Sequence, residues 1–183
     1  MCIEVKQLNT TVMIKLVPVS ISPEYAKKWN EHCSDFINLY KDGVKISDTL
    51  YRVGGMGGGF KDGYIMLLKY IEAFYSKDFI KMCGKHAPKN NRHLDGNWCI
   101  LNEDGEEKVN FKTSLDSPYL QGGVIYSYKN KYYNIETGEL YCNAYTSMST
   151  ENYLYLHNEF DDDKSKRGVL KIDKKTGEFE LIN

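Results

Sequence analysis

The chain has 183 residues, 42% hydrophobic and 27% charged, with 24 Lys+Arg against 25 Asp+Glu and a net charge of −1. That length suits one domain with a core of its own, and the near-zero charge excludes both a polycationic surface made for bulk nucleic-acid attraction and the composition of a disordered chain. No apolar run approaches the roughly 20 residues that a membrane-spanning helix needs.

Residues 3–6 alternate apolar and polar side chains and residues 12–17 also suit a strand, so 1–19 predicts an N-terminal hairpin. Residues 22–42 predict the principal helix. Ser22 can cap it, Pro23 suits the first helical position, and Tyr25, Trp29, Cys33, Phe36, Ile37 and Tyr40 fall three or four apart on one stripe. Gly43 follows as the left-handed cap. Residues 50–53 and 64–75 flank the glycine cluster 54–59; the second segment fits a helical face or one arm of a long hairpin, and the flanking glycines favour the hairpin. A short helix is expected at 77–83, with Ser76 as its cap and Gly84 beyond its end.

The second half repeats one theme. Residues 98–109, 132–141 and 169–181 each read strand, Asx-Gly turn, strand, and the turn glycines Gly105, Gly138 and Gly177 are each followed by Glu. Residues 123–128 and 153–157 add two more strands. The expected fold is α+β: an antiparallel, Tyr-rich β-meander with one main amphipathic helix, about 22–42, packed on it. A single domain, 1–183, would hold the N-terminal hairpin and helix in 1–43 and the meander in 44–183.

The stretch His93-Leu-Asp-Gly-Asn-Trp-Cys-Ile-Leu-Asn-Glu-Asp-Gly-Glu-Glu resembles the Gly-x-Trp-x-x-(Ile/Leu)-(Asn/Asp)-x-x-Gly unit of WG-type β-repeat proteins, with Cys99 where that unit usually has Gly. The later Thr-Gly-Glu hairpins resemble propeller-blade strands, and the resemblance spans residues 93–183. It implies an antiparallel repeat sheet of a kind often used for binding, found in bacterial and phage-related proteins that include immunity proteins. Two blades' worth of chain is too little to close a propeller.

Few residues carry recognisable chemistry. The 54–59 glycines lack the Gly-Lys-Ser/Thr ending of a phosphate loop, which leaves a turn between strands or a recognition loop whose Met56 and Phe60 touch a partner. Cys83, His86, His93 and Cys99 offer the donor types of tetrahedral zinc, but at a spacing that matches no usual finger. No Ser, Cys or His stands in a nucleophile motif, and Asp161, Asp162 and Asp163 lack the ligand spacing of a calcium loop. Lys77, Lys81, Lys85, Lys89 and Arg92, with only Asp78 opposing, form a local basic stretch near Tyr75 and Phe79. Cys2, Cys33, Cys83, Cys99 and Cys142 are odd in number and form no Cys-x-x-Cys pair, and the N-terminus shows no signal-peptide pattern, so reduced thiols in a cytoplasm are expected.

Tyrosines 126, 128, 132, 133, 141, 145, 153 and 155 supply large rings with polar tips, the side chains of interfaces. The leading expectation is therefore a non-catalytic protein-binding module, an inhibitor or immunity-like protein that blocks another macromolecule. Its contact residues would be Met56, Phe60, Tyr126, Tyr128, Tyr133, Tyr153 and Tyr155, with no cofactor and no membrane contact. The alternatives are a nucleic-acid binder using 77–92 and a small hydrolase or transferase using Cys83, His86 or His93.

Overall fold

Asp42-Gly43, Asp62-Gly63 and Lys129-Asn130 all have positive φ at both residues, the backbone of two-residue turns whose twist matches the antiparallel strands they join. The computed structural model describes residues 14–18, 36–53, 60–88, 91–112, 116–144, 146–158, 165 and 167–182. Among them are three antiparallel sheets, one seven-residue helix and a three-residue 3-10 turn. No helix among the described residues is long and apolar enough to cross a membrane.

The first sheet contains β1 (Ile14–Pro18), β2 (Ile37–Lys41), β3 (Val44–Lys45), β4 (Tyr51–Val53), β5 (Tyr64–Phe74), β6 (Arg92–Asn102) and β7 (Glu107–Asn110), in the order β1-β2-β4-β5-β6-β7 with β3 beside β2. Between β5 and β6 lie the helix α1 (Lys77–Cys83) and the 3-10 turn Gly84–His86. The second sheet is a meander of β8 (Tyr119–Gly122), β9 (Ile125–Tyr128), β10 (Lys131–Asn134) and β11 (Leu140–Asn143). The third repeats it with β12 (Thr146–Ser149), β13 (Tyr153–Asn158), β14 (Gly168–Asp173) and β15 (Phe179–Ile182).

This architecture overturns the α+β expectation. Ile37–Lys41, the end of the segment 22–42 expected to be helical, is an interior strand, paired from Ile14↔Lys41 to Pro18↔Ile37 on one side and by Ile37↔Tyr51 on the other. Residues 22–35 lie outside the described residues. Phe36, Ile37, Asn38 and Leu39 are all buried, and a strand covered on both faces has no alternation to tell it from a helix. Gly43 does adopt positive φ, but in the β2–β3 hairpin, where Lys41 pairs with Val44. The second arm of the expected N-terminal hairpin exists as β1, partnered by β2; residues 3–6 lie outside the described residues. The 64–75 segment is a strand, joined to β4 through Tyr51↔Lys69 and to β6 over eleven pairs. The helix at 77–83 forms as expected: the Ser76 hydroxyl accepts the Phe79 N–H, and the Gly84 N–H donates to the Lys81 carbonyl.

Three hairpin turns are each built on one Asx side chain, the first turn being one residue shorter than the other two. The side-chain oxygen of Asn102 accepts from the backbone N–H of Asp104 and Glu106; that of Asn134 from Glu136 and Thr137; that of Asp173 from Lys175 and Thr176. Gly105, Gly138 and Gly177 each donate back to the carbonyl of their own Asx residue. Such Asx turns supply locally the partners that a reversing backbone loses.

Aligned on these turns, the ladders coincide. Leu101↔Ile65 and Ile100↔Met66 in the first sheet match Tyr133↔Tyr126 and Tyr132↔Ser127 in the second, and Ile172↔Leu154 and Lys171↔Tyr155 in the third. Alternation sends the members of each pair of rows to opposite faces. Ile65, Leu67, Cys99 and Leu101 join Ile37, Leu39 and Tyr51 on one side of the first sheet. Tyr64 and Ile100, on its other side, meet Tyr126 and Ile135 of the second sheet. Ile125, Tyr132 and Cys142, on the far side of the second sheet, meet Leu154, Leu156, Leu170 and Ile172 of the third. The sheets are thus stacked in chain order, the second and third each resting the row of Tyr133 and Ile172 on the sheet before it.

Candidate functional site

In the first two sheets the row of Ile100 and Tyr132 is buried under the next sheet. The third sheet has the same row with no described sheet over it, and there the residues change character. Lys171 replaces the apolar side chain. Its ammonium lies 4.5 Å from the centre of the Tyr153 ring and 2.7 Å from Glu180 Oε1. Tyr155 meets the Tyr153 ring edge-on at 6.5 Å, and Met148, paired with Tyr155 across the ladder, is 58% exposed. Glu180 holds the Lys171 amine above its ordinary value, so the cation persists well past neutral pH. The result is a face of half-buried rings with a cation laid across one of them, an arrangement compatible with water and with a partner alike.

A groove of about 620 Å³ adjoins this face. It is lined at one register position in all three sheets: Asp62 and Tyr64 from the first, Gly123 and Val124 from the second, Glu151, Asn152 and Tyr153 from the third, with Lys174 and Lys175 closing it. Several of its polar groups are committed to structure. Asp62 Oδ2 accepts the Gly123 N–H at 2.9 Å, the Lys174 carbonyl accepts the Val124 N–H at 2.7 Å, and the Lys174 ammonium donates to the Thr150 carbonyl at 2.6 Å. The Asp173 carboxylate is held below its ordinary pKa first by the Thr176 N–H and then by its other turn partners. Tyr153 and Asp173 also line a shallower depression of about 260 Å³ with Lys171, Phe179 and Glu180, so groove and sheet face form one continuous surface.

The sequence-derived contact residues are thereby divided. Tyr126, Tyr128 and Tyr133 face the first sheet; Tyr126 stacks on Tyr133 at 5.1 Å and meets Phe111 edge-on, and burial pushes its hydroxyl pKa up to about 12. Phe60 packs against the cluster around Ile65 and Leu67. Tyr153 and Tyr155 remain on the outer face. Met56 lies outside the described residues. Sequence reading missed Lys171, Met148 and Glu180, which belong to no motif and are marked only by their place in the last sheet.

The zinc grouping comes apart. Cys99 is fully buried in β6, donates its thiol to the Leu67 carbonyl, and has its pKa raised to about 12 by burial. His93 lies six residues earlier on the same strand, about 20 Å away at the rise of an extended chain, too far to share an ion. Its ring stacks on Tyr75 at 4.3 Å, while His86 is exposed in the 3-10 turn. No hydrogen bond joins Cys83, His86 and His93, and no group of three metal-binding side chains occurs among the described residues.

The basic stretch sits around α1, a helix with no buried residue. Lys77, Lys81 and Lys85 are exposed there; Lys89 and the Arg92 side chain lie outside the described residues.

Comparison with family models, with curated proteins and with solved structures finds no match to this chain.

Proposed function

We propose that the protein acts by binding another protein through the outer face of its third sheet, as an inhibitor or immunity-type module that covers a working surface of its target. The observation that carries the reading is the change at one structural position: buried Ile100 and Tyr132 become Lys171, partly exposed and laid over Tyr153. A face that served only to end the stack could be uniformly charged. This one keeps two tyrosines and an exposed methionine, residue types enriched where proteins meet. Cys83 and Cys99 as thiols fit a reducing cytoplasm.

Affinity purification from the native host, followed by identification of what co-elutes, tests the proposal. One protein in fixed stoichiometry is expected. Tyr153→Ser combined with Tyr155→Ser should weaken its binding about 30-fold, the effect of losing a hot spot of about 2 kcal/mol, while the circular dichroism spectrum stays native. Full binding by that double variant would overturn the assignment of the face. Recovery of a substrate that the protein turns over would overturn the binding-module reading itself.

A further inference from the structure

The end of the β5–β6 hairpin carries a separate surface, independent of the third sheet. These two strands pair over eleven residues, but β4 reaches only as far as Lys69 and β7 only as far as Cys99. Beyond Tyr70, whose N–H still reaches the Leu50 carbonyl, the pairs from Ile71↔Asp95 to Phe74↔Arg92 have no other strand beside them among the described residues. Four pairs make about 13 Å of two-stranded ladder, more than the roughly 8 Å over which charges are screened at physiological salt. Charges at its end are therefore screened from those on the body of the sheets, with Glu72 and Asp95 on the ladder itself the nearest acids.

Those charges differ sharply from the rest. Residues 75–93 hold five Lys and Arg against one Asp, a local charge of +4, and because the whole chain is −1 the remainder carries −5. Four lysines of the sheets are engaged: Lys41 with Asp104, Lys69 with Glu107, Lys108 with Glu136, Lys171 with Glu180. Lys77, Lys81 and Lys85 are exposed and no ion pair reaches them among the described residues. The same segment carries a short column of rings. Tyr75 is sandwiched with His93 on one side, centroids 4.3 Å apart and planes 19° apart, and Phe79 on the other, 4.9 Å and 16°. Phe79, at one end of the column, is 37% exposed.

We infer that this hairpin end binds single-stranded nucleic acid, with Lys77, Lys81 and Lys85 contacting phosphates and the outer part of the Phe79 ring taking a base onto the existing stack. Unpaired cations and a pre-ordered column of flat rings, here carried on one short segment, are the two elements of sequence-tolerant single-strand binding. A membrane surface fits less well, since one seven-residue helix with Phe79 and Met82 as its exposed apolar side chains offers little area to bury among lipids. An acidic protein fits less well too, because lysine is depleted where proteins pack together.

Anisotropy of a labelled oligouridylate, titrated with the full chain, tests this without reference to any protein partner. Three to five phosphate contacts predict a log–log salt slope of about −2 to −3.5, hence a loss of about 20- to 100-fold between about 50 and 200 mM salt. The triple variant K77Q/K81Q/K85Q should bind at least tenfold more weakly. Phe79→Ala, at unchanged charge, should cost about fivefold or more, and Phe79→Trp should restore binding. With no buried residue in α1, all of these should fold as the parent does. Absence of binding at low salt, binding indifferent to Phe79, or binding to phosphatidylserine vesicles in place of the oligonucleotide would each overturn the assignment.

Discussion

A methyl group on Gly123 would stand 1.5 Å from the Lys174 carbonyl oxygen, and the residue sits at φ +53°. The close approach lets the neighbouring Val124 N–H reach that same oxygen at 2.7 Å, tying the second sheet to the third. Gly138 also has positive φ, +72°, but its missing side chain would meet open space. Gly138→Ala should therefore cost about 1–2 kcal/mol, the penalty of a left-handed backbone alone. Gly123→Ala adds a clash with backbone that cannot swing aside, and about 2–5 kcal/mol is expected. Urea unfolding of the two variants compares them; equal losses would mean that the contact with Lys174 is not made in solution. A second residue-scale effect centres on Glu136, which accepts hydrogen bonds from the buried Tyr64 hydroxyl and the Lys108 ammonium. The Tyr64 bond first, then Lys108, holds its carboxyl below the ordinary value. The folded state thus takes up its proton less readily than the unfolded state, so this contribution is complete above pH 4.5 and is lost as pH falls through the lower folded value. Burial and then Glu136 raise the Tyr64 pKa, so its share is complete below pH 10.0 and is lost as pH rises past that. Glu136→Gln should lower stability at neutral pH by about 0.5–1 kcal/mol, a figure reduced for the carboxylate's partial exposure. It should also flatten the acid limb of the stability profile, and an unaltered limb would place the acid sensitivity elsewhere.

The hairpin turns show how elements come to carry tertiary structure. Asn102, Asn134 and Asp173 make similar local bonds, but the Asn134 amide also donates to the Tyr141 hydroxyl, which in turn donates to the Gly177 carbonyl in the next sheet. Asn134 is buried, whereas Asn102 is partly exposed. Replacing Asn134 by Ala should cost about 2–4 kcal/mol and Asn102 by Ala about 1 kcal/mol, measurable as a difference in denaturation midpoint. Comparable losses would mean that the turn works only locally. The same distinction explains what could be read from the sequence. The Asx-Gly hairpins, the Ser76 cap and the 64–75 strand were legible because their causes lie within a few residues: a positive φ, a side-chain cap, a flanking run of glycines. Residues 37–41 misled because burial on both faces erased the alternation, leaving apolar spacings that also fit a helix. Strands β8 and β12, at sheet edges and built from Gln, Gly, Ser and Thr as much as apolar residues, gave no pattern. Which tyrosines face inward was not legible at all. Tyr126 and Tyr155 look alike along the chain but stand in different rows, Tyr126 against the first sheet and Tyr155 beside Lys171 on the outer face of the third, a long-range difference with no local signature.

At the scale of the molecule, among the described sheets the second is the one that packs on another described sheet at both faces. Tyr126 and Tyr133 belong to the cluster it shares with the first sheet, Ile125 and Tyr132 to the cluster it shares with the third. In a stack of similar units, stability is set by each unit and by its contacts with immediate neighbours. A sheet with two such contacts should open less often than one with a single contact, and amide exchange tracks such local opening. Exchange should be slowest across β9 and β10. It should be faster in β12 and fastest in β15, an edge strand whose four residues are all exposed. Ile125→Ala sharpens the test, because that side chain is fully buried between the second and third sheets. The cavity should cost about 2–5 kcal/mol and raise exchange throughout β13 and β14, while the β5–β6 ladder, whose clusters do not include Ile125, changes least. An equal rise in all three sheets would show that the stack opens as one cooperative body. The outer face of the third sheet would then be as firmly supported as the centre, and its side chains would meet a partner on a rigid surface.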